Sequence, residues 1–279
     1  MALALMRLAA RPPLRILHGV GVALGWFMYC SPAYRRHLRR NLALAGYANA
    51  HLRCAAIAEA GKMLAEVPKI LLGPRKETLA LVRAFDGREH VEQARAAGKG
   101  IVFLTPHFGC FELVAQAVDA PRPLTALYRP PKMAWLKPLV EDGRALHNVR
   151  LAPADFGGVR HLLAALKRRE AVLVLPDQVP GRGEGAWVDF FGAPAYTMTL
   201  AARLSGRQDS VCLVATAERL PRGAGFALRV RPLPAALPTE SPTRRINRAL
   251  EEAIRARPEQ YLWGYNRYKR PRGAEPPDA

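Results

Sequence analysis

The chain of 279 residues is long enough to bury a sizeable core and contains no long polar tract, which predicts one large domain with an N-terminal appendage. Its formal net charge of +19 predicts a strongly negative partner, such as nucleic acid, anionic lipid or an acidic carrier protein. The four cysteines are scattered with no Cys-x-x-Cys pair, so the sequence signals neither a zinc site nor a disulfide framework. A reducing cytoplasm is the compartment that fits this pattern.

The positive charge is concentrated at the N-terminus. Residues 1–58 contain eight arginines and no Asp or Glu, and the apolar run 16–30 between the arginine clusters is shorter than the ~20 residues of a typical membrane span. A cleaved secretory signal and a buried core helix are alternatives to a membrane anchor. Because Arg35-Arg36-His37 follows closely and no convincing cleavage site is present, we predict that residues 1–52 form a helical membrane-associating segment. Arginines on both flanks leave the orientation of any span open.

The rest of the chain alternates between predicted helices and strands. Apolar residues recur at helical spacing from 53 to about 97, with Pro68 and Gly73-Pro74 as breaks. Short apolar runs typical of buried strands follow. Predicted strands lie at 101–104, 124–128, 171–175, 211–217 and 226–230, and predicted helices at 156–169 and 241–256. This order predicts an α/β fold, with a single mixed, largely parallel sheet flanked by helices over residues 53–270 and a disordered tail at 271–279.

A histidine and a glutamate follow the first of these strands. In α/β sheets, functional residues gather at the carboxyl ends of strands, and His107 lies there, just after Leu104. Glu112 would lie in the first turns of a helix starting near Phe108 or Gly109. Residues five apart do not share a helix face, so His107 must bend back from the loop toward Glu112. A carboxylate on one ring nitrogen would leave the other free to take a proton from a substrate hydroxyl, which would attack an activated acyl carbon such as a thioester.

Plainer interpretations exist for several of these residues. His107 could be a satisfied histidine at a strand end and Glu112 a solvated helix residue, because this spacing is common by chance. Cys110 could carry an acyl group covalently, but a small buried filler is the favoured interpretation. The glycine-rich loop 181–185 lacks the spacing of a P-loop or a dinucleotide site, so we predict a turn or lid there.

A family resemblance connects His107 and Glu112 to later parts of the chain. The segment 105–112 resembles the His-x-x-x-x-acid block of glycerolipid-type acyltransferases, and Phe108-Gly109 narrows the resemblance to the lipid A biosynthesis late acyltransferase family. Further blocks of that family occur in the same order and cover nearly the whole chain. They are Tyr128-Arg129-Pro130, Gly143-Arg144, Pro176-Asp177-Gln178, Phe190-Phe191-Gly192, and Gln260-Tyr261-Leu262-Trp263 with Arg267.

This resemblance implies a transferase that moves a fatty acyl chain from acyl carrier protein to a hydroxyl of a phosphorylated glycolipid, at the cytoplasmic face of the inner membrane. It implies His107 as general base, Glu112 as the group that orients it, and Arg144 as a catalytic arginine on acceptor phosphate or the developing oxyanion. No cofactor or metal is implied. Additional substrate-binding residues are expected at Arg129 and Asp177, and at Phe190 and Phe191, which would line an acyl groove or belong to the plain core.

Some positions depart from the family pattern. Cys110-Phe111 and Met133-Ala134-Trp135 replace the residues that many relatives carry, and the wider family also acylates mannosylated inositol lipids, so the acceptor stays open. Two other function classes are weighed against acyl transfer. A nucleic-acid-binding protein would suit the charge, but no nucleic-acid motif is present and the basic residues flank an apolar segment. A hydrolase of acyl thioesters would use water in place of the lipid hydroxyl, but no Gly-x-Ser-x-Gly elbow is present.

Overall fold

The computed structural model describes residues 2–130, 137–145 and 148–276, so the segment Met133-Ala134-Trp135 lies outside the described residues. The helices in these ranges are α1 (Ala2–Ala9), α2 (Leu14–Tyr29), α3 (Pro32–Leu44), α4 (Ala50–Leu72), α5 (Arg75–Ala80), α6 (Arg88–Ala96), α7 (Phe111–Ala117), α8 (Lys137–Ala145), α9 (Phe156–Lys167), α10 (Thr199–Ser205) and α11 (Pro242–Arg255). The strands are β1 (Val82–Asp86), β2 (Gly100–Leu104), β3 (Leu124–Tyr128), β4 (Val149–Pro153), β5 (Ala171–Val174), β6 (Gly185–Phe190), β7 (Ala193–Met198), β8 (Ser210–Arg219) and β9 (Phe226–Pro232).

Seven strands form one mixed sheet in the order β1-β9-β8-β2-β5-β3-β4. All neighbouring pairs are parallel except β8 and β9, which confirms the predicted largely parallel sheet. The central strands β2 and β5 are buried along their whole length. Because the carboxyl ends of parallel strands lie at one edge of the sheet, the loops after β2, β3 and β5 meet there.

Alternate residues of β2 pack against different helices, as expected for a strand covered on both faces. Ile101 and Phe103 lie in a core with residues of α6 and α7. Val102 and Leu104 lie in a second core with residues of α9, α10 and α11. The sheet is therefore flanked by helices on both faces, which holds the carboxyl end of β2 rigidly between two packed layers.

Two segments differ from their predicted structure. Residues 82–86, within the stretch expected to be helical, form β1, whose residues are half-buried or exposed because it lies at the edge of the sheet. The prediction was wrong here because an exposed edge strand lacks the continuous apolar run of a buried one. Pro68, expected to break a helix, lies inside α4, which continues to Leu72.

The N-terminal helix α2 packs closely against α4 through glycines. A Cβ atom placed on Gly25 would lie 2.1 Å from the carbonyl oxygen of Ile57, and one placed on Gly61 would lie 1.9 Å from the carbonyl oxygen of Gly21. Only glycine allows the two backbones to approach this closely. The opposite face of α2 exposes Val20 and Phe27, with exposed fractions of 58% and 75%.

No single helix in the described ranges has the length and apolar composition needed to cross a bilayer. Helices α2 and α3 taken together have the required length and apolar composition, but they are bent by 100° relative to each other.

A chain of buried, hydrogen-bonded side chains joins α2 to the core. His18 Nε2 on α2 lies 2.6 Å from Glu66 Oε1 on α4, and Glu66 also accepts hydrogen bonds from the Nε and Nη2 atoms of Arg219 on β8. Arg219 Nη2 in turn donates to the carbonyl oxygen of Gly109 at 3.1 Å. Burial alone raises the pKa of Glu66, but the charge and hydrogen bonds of Arg219 and His18 outweigh it and hold that pKa below its usual value.

Candidate active site

The loop that carries His107 is fixed at both ends by backbone hydrogen bonds. Leu262 N donates to the carbonyl oxygen of His107 at 3.0 Å, and Gly109 N donates to that of Gln260 at 3.0 Å. Gly109 has a φ of +54°, and a Cβ atom there would lie 2.0 Å from the carbonyl oxygen of Ala217. Glycine is therefore required at this position, and the turn delays the start of α7 to Phe111, later than predicted.

His107 is held by an aspartate from the neighbouring strand. Asp177 follows β5, and its Oδ1 lies 2.8 Å from His107 Nδ1 while its Oδ2 accepts a hydrogen bond from the backbone N–H of His107 at 2.8 Å. Burial raises the pKa of the Asp177 carboxyl, but the charge of His107 and its hydrogen bonds outweigh this, so the pKa lies below its usual value. An ionised carboxylate only accepts, so in the neutral imidazole Nδ1 carries the proton and Nε2 carries the lone pair.

The lone pair on Nε2 has one hydrogen-bond partner among the described residues. The side-chain nitrogen of Gln178 lies 3.1 Å from His107 Nε2. Gln178 directly follows Asp177, so consecutive residues contact the two ring nitrogens of the same imidazole. The sequence shows Pro176-Asp177-Gln178 as a family block but suggests no separate role for Gln178.

Glu112 contacts an arginine instead of His107. Arg144 on α8 donates from Nε to Glu112 Oε2 at 3.1 Å and from Nη2 to Oε1 at 2.7 Å. Among the described residues, no hydrogen bond joins His107 to Glu112, so the expected orienting contact is corrected to Asp177. The physical reason is that β5 lies beside β2 and brings Asp177 directly to Nδ1, whereas Glu112 lies on α7, which contacts the imidazole through the Phe111 ring at 4.8 Å between centroids.

A cavity of about 230 Å³ opens beside the imidazole. Both arginines expected from the sequence, Arg129 and Arg144, line it with His107 and Gln178. Tyr128 also lines it, and its buried hydroxyl has no hydrogen-bond partner among the described residues. Burial, with the nearby carboxylates, raises the pKa of Tyr128, so the hydroxyl stays a neutral donor. The cavity thus combines one base, two cations and neutral donors.

A family model described as bacterial lipid A biosynthesis acyltransferase matches residues 1–270. The chain belongs to the bacterial lipid A biosynthesis acyltransferase family. It is 30% identical to the lipid A biosynthesis lauroyltransferase of Escherichia coli (strain K12) over 67% of this chain and 62% of that protein. It is 29% identical to the lipid A biosynthesis palmitoleoyltransferase of the same organism, over 66% of this chain and 60% of that protein. A lipid A biosynthesis acyltransferase of Haemophilus influenzae is 25% identical over 72% of this chain. The matched part of the chain spans about three fifths of the length of the two Escherichia coli relatives.

Two aromatic residues of the acyltransferase pattern lie away from the cavity. Phe190 and Phe191 are buried, and they pack in a core cluster with Tyr261 and Trp263. Neither lines the cavity beside His107. Of the two interpretations left open by the sequence, an acyl groove or plain core, the packing favours the core.

Cys110 lies in the core of this acyltransferase fold. Its side chain is buried, and burial raises the pKa of its thiol well above the usual range. A buried thiol with a raised pKa is a poor nucleophile. The packing therefore favours the buried filler over the covalent alternative.

Proposed function

We propose that this chain is an acyltransferase that moves a fatty acyl chain from the thioester of acyl carrier protein to a hydroxyl of a phosphorylated glycolipid of the lipid A precursor class. Family membership supports the reaction class. The observation that carries the proposal is the state of His107: Asp177 holds Nδ1, and the Nε2 lone pair faces a cavity lined by two arginines. A base without a nucleophile of its own suits the activation of a substrate hydroxyl.

The proposed reaction uses His107 twice. Nε2 takes the proton of the acceptor hydroxyl as its oxygen bonds to the thioester carbonyl carbon, and the carbonyl electron pair moves to the carbonyl oxygen. Asp177 stabilises the imidazolium that forms. When the intermediate collapses, the carbon–sulfur bond breaks and the departing thiolate takes the proton from Nε2. The products are the acylated glycolipid and the free thiol of the carrier, and the imidazole is neutral again.

The two arginines are proposed to bind the phosphorylated acceptor. Arg129 is exposed at the cavity, and a guanidinium binds phosphate well because it presents several donors in one plane. The Arg144 guanidinium is fixed by its two hydrogen bonds to Glu112. Glu112 then contributes to catalysis by orienting Arg144 at the cavity wall.

We place the protein at the cytoplasmic face of the inner membrane, attached through α1 to α3. The support for this location is the exposed apolar face of α2, which lies between arginine clusters on both sides. Anionic lipid headgroups attract such arginines while the apolar face is buried in the bilayer interface. Positive charge would also attract an acidic acyl carrier protein.

The test is an assay of purified protein with acyl carrier protein thioester, with and without a lipid A precursor, followed by mass spectrometry of the lipid. We expect acyl transfer that needs the acceptor and is abolished by His107→Ala. His161→Ala is the matched control, because His161 is exposed on α9, and it should retain activity. Release of free fatty acid at the same rate without acceptor would replace transferase by hydrolase. Salt-sensitive retention on DNA, with no retention on anionic vesicles and no acyl transfer, would favour a nucleic-acid-binding protein.

A further inference from the structure

We propose that Gln178 is a further catalytic residue. Its carboxamide donates a hydrogen bond to His107 Nε2 in the substrate-free protein and to the thioester carbonyl oxygen during acyl transfer. The inference rests on the proposed acyl transfer. It starts from the distance of 3.1 Å between the side-chain nitrogen of Gln178 and His107 Nε2.

The direction of this hydrogen bond follows from Asp177. The carboxylate accepts from Nδ1, so the neutral imidazole has no proton on Nε2 and Nε2 can only accept. The amide oxygen of Gln178 would be repelled by that lone pair, so the NH₂ group must face it and donate. In the substrate-free protein, Gln178 thus occupies the site at which the acceptor hydroxyl must bind.

Substrate binding exchanges these partners. The acceptor hydroxyl has to donate its own proton to Nε2, so it displaces the Gln178 amide from the lone pair. The attacking oxygen then lies about 3 Å from Nε2, near the position that the amide nitrogen has left. The thioester carbonyl is bonded to that oxygen in the intermediate, so its oxyanion forms within reach of the displaced NH₂ group.

The backbone around Gln178 keeps the displaced side chain in the cavity. On one side, Asp177 is buried and makes two hydrogen bonds to His107. On the other side, Val179 N donates to the hydroxyl of Tyr265 at 3.0 Å. With both neighbours fixed, only side-chain rotation moves the carboxamide, and a small rotation transfers it from Nε2 to the adjacent oxyanion.

The two arginines that line the cavity are less suited to the oxyanion than Gln178. Arg144 already donates from Nε and Nη2 to Glu112. Arg129 is exposed to solvent, which weakens its electrostatic effect. Among the lining residues, Gln178 has the hydrogen bond to the proton-accepting atom. A cationic donor in contact with Nε2 would also oppose proton uptake by the imidazole more strongly than a neutral amide does.

The kinetic test compares Gln178→Ala with Gln93→Ala, a matched control because Gln93 is exposed on α6. We expect Gln178→Ala to lower kcat about 100-fold, the usual loss for one oxyanion donor, with KM changed by less than about threefold. Gln178→Glu should be equally slow because a carboxylate cannot donate. It should also move the acid limb of the pH–rate profile to higher pH, because a negative charge beside Nε2 stabilises the imidazolium.

Different experimental outcomes would overturn the proposed acyl transfer and the proposed role of Gln178. Wild-type protein that transfers no acyl group to the glycolipid overturns the proposed function and with it this role of Gln178. Wild-type transfer together with an unchanged or increased kcat in Gln178→Ala overturns the role of Gln178 alone, since a residue that only blocks the base would raise the rate when removed. The substrate-free contact is checked by the ¹⁵N NMR signal of His107 Nε2, which should shift in Gln178→Ala. An unchanged signal would contradict the contact.

Discussion

At the scale of single residues, the carboxylate that contacts His107 is Asp177, which follows β5, whereas the sequence suggests Glu112, which lies on the helix just after His107. Glu112 is near His107 in the chain, but Asp177 is near it in space because β2 and β5 are adjacent. The sequence predicts the place of His107 at a strand end, since a buried apolar run precedes it. The sequence does not identify the carboxylate that contacts His107, because the spacing of residues along the chain does not determine the order of strands in the sheet. The position of Arg144 beside Glu112 is likewise a result of tertiary packing, since α8 packs against α4 and β4.

Two substitutions distinguish these carboxylates. Asp177→Asn should lower kcat by about 10³–10⁴-fold, because an amide beside Nδ1 favours the wrong tautomer. It should also move the acid limb of the pH–rate profile to lower pH, since the imidazolium loses a negative neighbour. Glu112→Gln should lower kcat through Arg144 and leave that limb in place. Measured pH–rate profiles of the two variants show which carboxylate stabilises the His107 imidazolium. A shift of the acid limb in Glu112→Gln alone would assign that role to Glu112.

At the scale of elements, burial decides which strands the sequence predicts. The strands β2, β3, β5, β8 and β9 are mostly apolar and overlap their predicted ranges. The strands β1, β4, β6 and β7 were not predicted. Each of them has exposed or half-buried residues, and each lies at an edge of its sheet. Edge strands mix polar and apolar residues because solvent covers part of them, and this pattern is hard to separate from a helix or a loop.

The glycine contact between α2 and α4 gives a prediction at the same scale. Gly25→Ala should destabilise the protein by about 1–3 kcal/mol, because its Cβ atom would collide with the backbone of α4 and force the helices apart. Gly19→Ala is the matched control on the same helix. No atom lies within 4 Å of its added Cβ atom, so it should stabilise α2 by about 0.5–1 kcal/mol through helix propensity. Urea unfolding of both variants measures the difference, and equal effects would contradict the close packing.

At the scale of the whole molecule, the chain has a net charge of +19, and the apolar face of α2 lies within residues 1–58, which contain eight arginines and no Asp or Glu. The catalytic part of the fold could be predicted from the sequence because alternating strands and helices leave few arrangements. The way α2 lies on α4 could not, since glycine contacts and buried charges between distant segments leave no periodic signal. The composition nevertheless predicts an anionic membrane surface as the partner of the N-terminal helices.

We therefore expect the protein to bind vesicles that contain phosphatidylglycerol, and Phe27→Asp to weaken binding by at least about tenfold, because it removes an apolar side chain and adds a negative charge. Leu237→Asp is the control, since Leu237 is also exposed but lies in the loop between β9 and α11. Vesicle sedimentation at low and high salt measures both variants, and binding should weaken as salt screens the arginines. Equal binding by wild type and Phe27→Asp would show that this face of α2 does not enter the bilayer.

The buried hydrogen-bonded chain of His18, Glu66 and Arg219 ends on the carbonyl oxygen of Gly109, two residues from His107. On the proposed attachment of α2 to the bilayer interface, this connection would fix the height of His107 Nε2 above the lipid surface. We would then expect acceptors to be selected by depth as well as by chemistry, because a glycolipid with a longer or shorter headgroup would present its hydroxyl at a different level.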